Sequence, residues 1–226
     1  MYYFQRNQLN KDSLMRNGIL LLCALTVAVG CTQNKTRPGA TASAAATTMT
    51  SEAAWQNRQR VFARMKAWSM KGRVGLQLRG QNWSFGMNWA EKAGGESVMD
   101  IINPLTGAVM ANIRETGSQV VLKAADGKSY RDTDAERLLQ RQLKLRFPLN
   151  DMRYWARGIP APNQPIEAIK LDAKGRPLKL QQGGWVVTYT AFKGNGTNAF
   201  PAKMTLEKAA ERAKAKVVAK QWRSRF

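Results

Sequence analysis

This sequence predicts a mainly antiparallel β fold, a barrel or strongly curled sheet of about eleven strands with helices at its front and middle. Three observations predict it. Apolar and polar residues alternate through many short segments, the period of a strand with one buried face. Gly, Asn and Pro punctuate those segments at even spacing, as hairpin turns require. Helical spacing occurs at the front and in one central interlude only. That pattern curls a sheet on itself and does not build parallel βα units.

The chain has 226 residues, which suits one folded domain preceded by an export segment and a linker. Arg6, Lys11 and Arg16 come before the apolar run from Gly18 to Gly30. That run is shorter than the roughly 20 residues of a membrane-spanning helix and fits a secretory signal. It ends in Val27–Ala28–Val29–Gly30–Cys31, which resembles the lipobox of bacterial lipoproteins, although leucine is preferred where Ala28 stands. The resemblance implies cleavage before Cys31 and acylation of its thiol and new amine; two or more chains anchor a protein stably. Thr32 follows where an aspartate would signal retention at the inner membrane, so onward transport to the outer membrane is expected. After Cys31 come Thr, Ala, Ser, Gly and Pro with almost no large apolar residue, too little to fold. The expected organisation is therefore 1–30 signal peptide, 31–50 lipid-anchored flexible linker and 51–226 folded domain.

In that domain Trp55, Val61, Phe62 and Met65 fall at helical spacings. They predict a helix that starts with Ser51 or Glu52 near its N-cap and stops near Trp68. Residues 73–79 alternate, with Val74, Leu76 and Leu78 on one face. Gly80–Gln81–Asn82 reads as a turn into 83–89, where Trp83, Phe85, Met87 and Trp89 share a face. Strands are expected at 97–102, 108–113 and 119–123, with a short one near 128–130. Asp132 or Thr133 caps a helix to Leu143, and Pro148 opens a second carrying Met152, Tyr154 and Trp155. Strands return at 166–172, 177–183, 185–192, 201–208 and 212–222.

Composition excludes much chemistry. Histidine is absent, and the two cysteines, Cys23 and Cys31, both precede the folded part. A histidine-based triad, a Cys–His pair and a histidine metal site are impossible. No acidic pair has hydrolytic spacing, and neither Gly183–Gly184 nor Gly194–Asn195–Gly196 precedes a helix as a phosphate cradle would. No cofactor and no enzymatic activity are expected. The 36 Lys and Arg against 15 Asp and Glu give +21, a field that attracts polyanions. On an exported chain that charge favours anionic lipid over nucleic acid. The basic C-terminal alternation from Lys208 to Arg225 reads as the solvated face of an edge strand.

The inward-facing aromatics admit two readings, a filled core or a partly open barrel that accepts acyl chains at roughly 0.8 kcal/mol per buried methylene. The loop Asn103–Pro104–Leu105–Thr106–Gly107 puts a leucine where turns carry polar residues. Leu105 either folds back on the core or projects toward lipid or a partner.

From Trp55 to Trp222 the chain resembles LolB, the family of outer-membrane lipoprotein receptors. The matching stretches are Lys71–Gly72–Arg73–Val74, Trp83 to Trp89, Asn103–Pro104–Leu105, Leu149 to Gly158 with Pro160, Gln181 to Tyr189, and Phe200–Pro201. Each is short; their order, with the lipobox, carries the resemblance. It implies an eleven-stranded half-open antiparallel barrel closed by helices, with cavity tryptophans at Trp89, Trp155, Trp185 and Trp222 beside Phe85 and Met87. It implies receipt of lipoproteins from the periplasmic carrier LolA, a membrane-insertion loop of Asn103, Pro104 and Leu105, and a monomer at the periplasmic face of the outer membrane. In the family glycine often directly follows that leucine; here Thr106 intervenes. The expected partners are LolA, the acyl chains of client lipoproteins and outer-membrane lipids, with no nucleic acid. The alternatives are a lipid-anchored module for another hydrophobic ligand and a structural envelope lipoprotein with a filled core.

Overall fold

The computed structural model describes residues 49–226, so the expected signal peptide, Cys31 and most of the linker lie outside the described residues. Helix α1 spans Ser51–Ala63 and is capped by Thr50, whose side chain accepts from Ala53 N at 3.2 Å. The cap is thus one residue ahead of the expected Ser51 or Glu52. Eleven strands follow: β1 (Ala67–Leu78), β2 (Gln81–Glu91), β3 (Ser97–Ile102), β4 (Val109–Thr116), β5 (Gln119–Ala124), β6 (Ser129–Asp132), β7 (Ala168–Leu171), β8 (Pro177–Gln182), β9 (Trp185–Lys193), β10 (Phe200–Lys208) and β11 (Ala213–Arg225). Helices α2 (Ala135–Leu143) and α3 (Leu149–Trp155) lie between β6 and β7.

All strands join one antiparallel sheet in the order β6-β5-β4-β3-β2-β1-β11-β10-β9-β8-β7. The first and last strands of that order, β6 and β7, do not pair, so the sheet is open, as expected of a half-open barrel. β11 is not an edge strand: it pairs with β1 on one side and β10 on the other. Its Lys–Ala alternation is that of a central strand with one apolar and one charged face, which sequence alternation alone does not distinguish from an edge.

Three further expectations need correction. The first helix ends at Ala63 and Trp68 belongs to β1, where it faces inward at 5% exposure. The turn between β1 and β2 is Arg79–Gly80, both at positive φ (50° and 85°), the geometry of a two-residue hairpin whose twist matches its strands. Helix α2 is capped by Asp134, which accepts from Arg137 N at 3.0 Å, and not by Asp132 or Thr133. Asp132 instead holds Arg137 and Arg141, the first and second turns of the helix it precedes.

The core lies on one face of the sheet. Val74, Leu76, Phe85, Met87, Trp89, Met99, Ile101, Leu122, Leu180, Val187, Leu206 and Val217 all point inward and are buried. Leu138 and Leu139 of α2 and Leu149, Met152 and Trp155 of α3 close over them.

Candidate functional site

Antiparallel pairing sorts the connections to two ends of the sheet. The β1–β2, β3–β4, β5–β6, β8–β9 and β10–β11 turns fall at one end, and the chain enters β1 at the other. Two features of functional interest share the first end.

The first is the β3–β4 loop. Asn103 organises it: its side-chain oxygen accepts from Leu105 N at 2.9 Å and Thr106 N at 3.2 Å, and its carbonyl accepts from Gly107 N at 2.9 Å. Asn103 N donates to Ala108 O at 2.8 Å, which closes the loop. Gly107 sits at φ 74°, so the reversal that a glycine must make is made one residue after Thr106. None of these bonds uses the leucine side chain. Pro104 is half-buried and Leu105 is 93% exposed, on a scaffold fixed by its own backbone. A β-bulge at Met110 leaves Val109 (49%) and Met110 (40%) exposed beside it. Leu105 therefore projects, and Val109 and Met110 at the start of β4 are further exposed apolar residues.

The second is a depression of about 280 Å³ between α2, α3 and the β8–β9 and β10–β11 turns. Phe147 and Trp185 form its apolar floor, and Glu136, Asp151, Arg146, Lys208 and Glu211 its rim. Burial pushes the Glu136 carboxyl above its ordinary range, against the Asn150 N–H that it accepts at 2.9 Å. From the floor, Trp185 leads inward to Trp155, with ring centroids 6.3 Å apart.

The six expected cavity residues fall into two groups. Trp155 and Trp185 form one. Trp89 and Trp222 form the other, joined through Trp68 at 5.1 and 5.6 Å, with Phe85 and Met87 on the same inner face as Trp89. Sequence reading missed Trp68 as the link, and also Phe147 and Tyr189 on the interior. The interior is filled in this conformation. Phe85, Met87, Trp89, Trp155 and Trp185 are 4, 1, 2, 0 and 7% exposed, packed against neighbours with no water-sized space beside the most buried of them.

The buried polar side-chain atoms here are fastened, except Arg153 Nε, which has no hydrogen-bond partner among the described residues. Trp155 Nε1 donates to Gln182 Oε1 at 2.9 Å, and Gln182 Nε2 donates to Ala161 O and Gln164 O at 2.8 Å. Tyr189 Oη donates to Trp155 O at 2.9 Å. At the far end Arg153 of α3 donates to Glu115 at 2.9 Å and lies 3.7 Å from Glu91. Trp89 Nε1 donates to Glu91 and Ser97 at 2.9 and 3.0 Å. Burial pushes the Glu91 carboxyl up, and Arg153 only partly offsets this. Helix α3 is thereby tied to β2, β4, β8 and β9. Helix α2 is held differently, by its apolar face, by ion pairs to Asp132 at its own start and by the Asn150 N–H of α3 on Glu136.

Arg58 was not anticipated. It occupies the buried stripe of α1 at 0% exposure and donates to the carbonyls of Gly158 (2.9 Å), Ala199 (2.9 Å), Thr197 and Arg157, with Phe62 4.4 Å below its guanidinium. Desolvation lowers its pKa to about 10, so it stays cationic at neutral pH. Its work is to fasten α1 to the segment after α3 and to the β9–β10 loop.

Residues 66–222 match the family described as Outer membrane lipoprotein LolB. Among similar proteins, the outer-membrane lipoprotein LolB of Nitrosococcus oceani is 32% identical over 68% of this chain and 75% of its own length. The LolB of Alkalilimnicola ehrlichii is 30% identical over 73% and 82%. Among solved structures, a LolA superfamily protein from Nitrosomonas europaea superposes with a TM-score of 0.51 at 11% identity, covering 79% of this chain and 94% of that one. That likeness concerns the fold.

Proposed function

The chain belongs to the LolB family of outer-membrane lipoproteins, and from that membership we propose that it takes lipoproteins from the soluble carrier LolA and inserts them into the outer membrane. Its own anchor is the acylated Cys31, with residues 32–50 as tether. The observation that carries the proposal is one apolar concave face under an open sheet, with an exposed leucine loop at the same end as the depression over Trp185.

Acyl chains arriving at that depression meet Trp185 and Phe147 first, then Trp155. The interior is packed, so admission displaces protein side chains as the chain enters. Helix α2 is the element suited to move. Its polar ties are to Asp132 beside it and, through Glu136, to the Asn150 N–H of α3, whereas α3 is bonded to β4, β8 and β9 and ion-paired with Glu91 of β2. Each methylene admitted contributes roughly 0.8 kcal/mol, which compensates for the contacts that α2 and its neighbours give up. The handover is then a difference between two apolar sites and the bilayer, and it runs without nucleotide hydrolysis. A packed resting interior keeps the apolar face out of water between cycles. Leu105 lowers the barrier to release by entering the leaflet beside the mouth.

Depletion in cells tests this. Acylated lipoproteins should then accumulate on the periplasmic carrier. Normal delivery after depletion, with nothing accumulating, refutes the assignment. If the chain instead purified with free phospholipid and never with lipoproteins, a module for another hydrophobic ligand would be the better reading.

A further inference from the structure

The cations of this fold are segregated. Strands β1, β11, β10, β9, β8 and β7 carry twelve Lys and Arg and one acidic residue, Glu207. Strands β2 to β6 carry three basic residues and four acidic ones. Since the inward positions of β11 are Ala213, Ala215, Val217 and Ala219, its Lys214, Lys216 and Lys220 face outward. The register extends this across the sheet. Lys216 lies beside Gly75 of β1 and Thr205 of β10, Thr205 beside Thr188, Thr188 beside Lys179, and Lys179 beside Lys170. Arg73 and Lys203 flank Val218 one row away. Five strand spacings make the face about 24 Å wide. Glu207 is already paired with Lys214. Among the described residues, Lys71, Arg73, Lys179, Lys203, Lys216 and Lys220 have no ion-pair partner.

We infer that this convex face of the β1–β11–β10–β9–β8–β7 half docks on an anionic phospholipid surface and orients the domain on its membrane. The inference takes the outer-membrane placement from the reading above and does not depend on lipoprotein transfer. Gathering like charges on one face costs self-repulsion that only an opposing charge relieves. The composition selects a membrane over an acidic protein. Protein interfaces use aromatic and arginine anchors and are depleted in lysine. Here the cations are mostly lysines, and they are set among Thr, Gln and Gly; Val218, at 39%, is the one exposed large hydrophobic of these six strands. Lysine ammoniums are hydrated point charges that suit a diffuse layer of headgroup phosphates, each contributing about fivefold in affinity near an anionic leaflet.

The test uses the full chain carrying Cys31→Ser, so that no acyl anchor contributes, and vesicles of phosphatidylcholine with or without roughly a third phosphatidylglycerol. The readout is the ratio of affinities for anionic and neutral vesicles, compared between variant and unsubstituted chain so that the N-terminal segment with Arg6, Lys11 and Arg16 contributes equally to both. The combined variant Lys179→Gln/Lys203→Gln/Lys216→Gln should lower that ratio on the order of a hundredfold. Its thermal unfolding should not change, because all three side chains are exposed. High salt should erase the preference of the unsubstituted chain. Leu105→Ser should weaken binding to both vesicle types alike and leave the ratio intact, which separates this face from the loop. An unchanged ratio in the lysine variant overturns the inference. So does a variant that keeps its vesicle preference while losing the soluble carrier protein, since the face would then be a protein dock.

Discussion

Replacing Leu105 with aspartate separates delivery from every other property of the molecule. The side chain is 93% exposed and no bond of its loop passes through it, because Asn103 and Gly107 hold the backbone. Stability should therefore stay within about 0.5 kcal/mol of the original. The loss appears only when the loop meets lipid. Burying a leucine is worth about 1.5–3 kcal/mol, and nearly all of that is still unspent in the free protein. If insertion occurs in the rate-limiting step of release, delivery slows by roughly 10- to 150-fold, and more for the charge that aspartate adds. The assay is reconstituted transfer of an acylated lipoprotein from the carrier to vesicles, with acceptance from the carrier measured separately without vesicles. Acceptance should be unaffected. Delivery at the original rate, with the variant folded, would remove the role assigned to Leu105.

The fastening of α1 predicts a different phenotype. Arg58→Met strands four carbonyls in the interior and should cost roughly 3–5 kcal/mol, or about 6–20 °C in Tm by calorimetry. A cost below about 1 kcal/mol would mean that water reaches those carbonyls. Gly72→Ala puts a methyl 2.5 Å from Val218 O and 3.2 Å from Ala219 Cα, both backbone, at the bulge where β1 and β11 shift register. It should destabilise by about 1–3 kcal/mol in denaturant unfolding, and Gly75→Ala, which meets nothing, should not. For pH, burial raises the Glu91 and Glu136 carboxyls above their ordinary 4.5. The folded chain therefore binds these protons before the unfolded chain does. Their contribution to stability rises as pH falls from neutral through the folded values, and levels off below 4.5. Glu91→Gln should flatten the stability profile in that window; an unchanged profile would mean Glu91 titrates normally.

The parts of this fold that one strand face dictates were legible. Trp83, Phe85, Met87 and Trp89 alternate without interruption, and they do line the inside of β2. The count of about eleven strands and the placing of α2 and α3 followed from alternation, turn residues and helical spacing, whereas the open edge was implied by the family resemblance and the cap of α2 fell at Asp134. Trp68 was misplaced because it lies three residues after Met65, continuing a helical spacing, while it also begins the alternation Trp68–Met70; pairing of β1 on both sides decided for the strand. Arg58 was unreadable because a charge in an apolar stripe is normally sent to solvent. The carbonyls that accept it lie 99 to 141 residues away. The lysines of β11 looked like an edge, because only the long-range pairing of the last strand with β1 makes it central. The largest gap concerned the interior, since composition cannot separate a filled core from a hollow one, and here the side chains fill it.

Contact between a client's acyl chain and the packed interior is the measurement that bears on the account most directly. A photo-reactive phenylalanine analogue in place of Phe85 or Met87, both inward on β2, should crosslink to the acyl chains of a lipoprotein bound after transfer from the carrier. The same analogue at Ser84, on the outer face, should not. Crosslinks of equal yield at Ser84 and Phe85, or none at the inner positions while delivery proceeds, would mean that the chains never pass under the sheet.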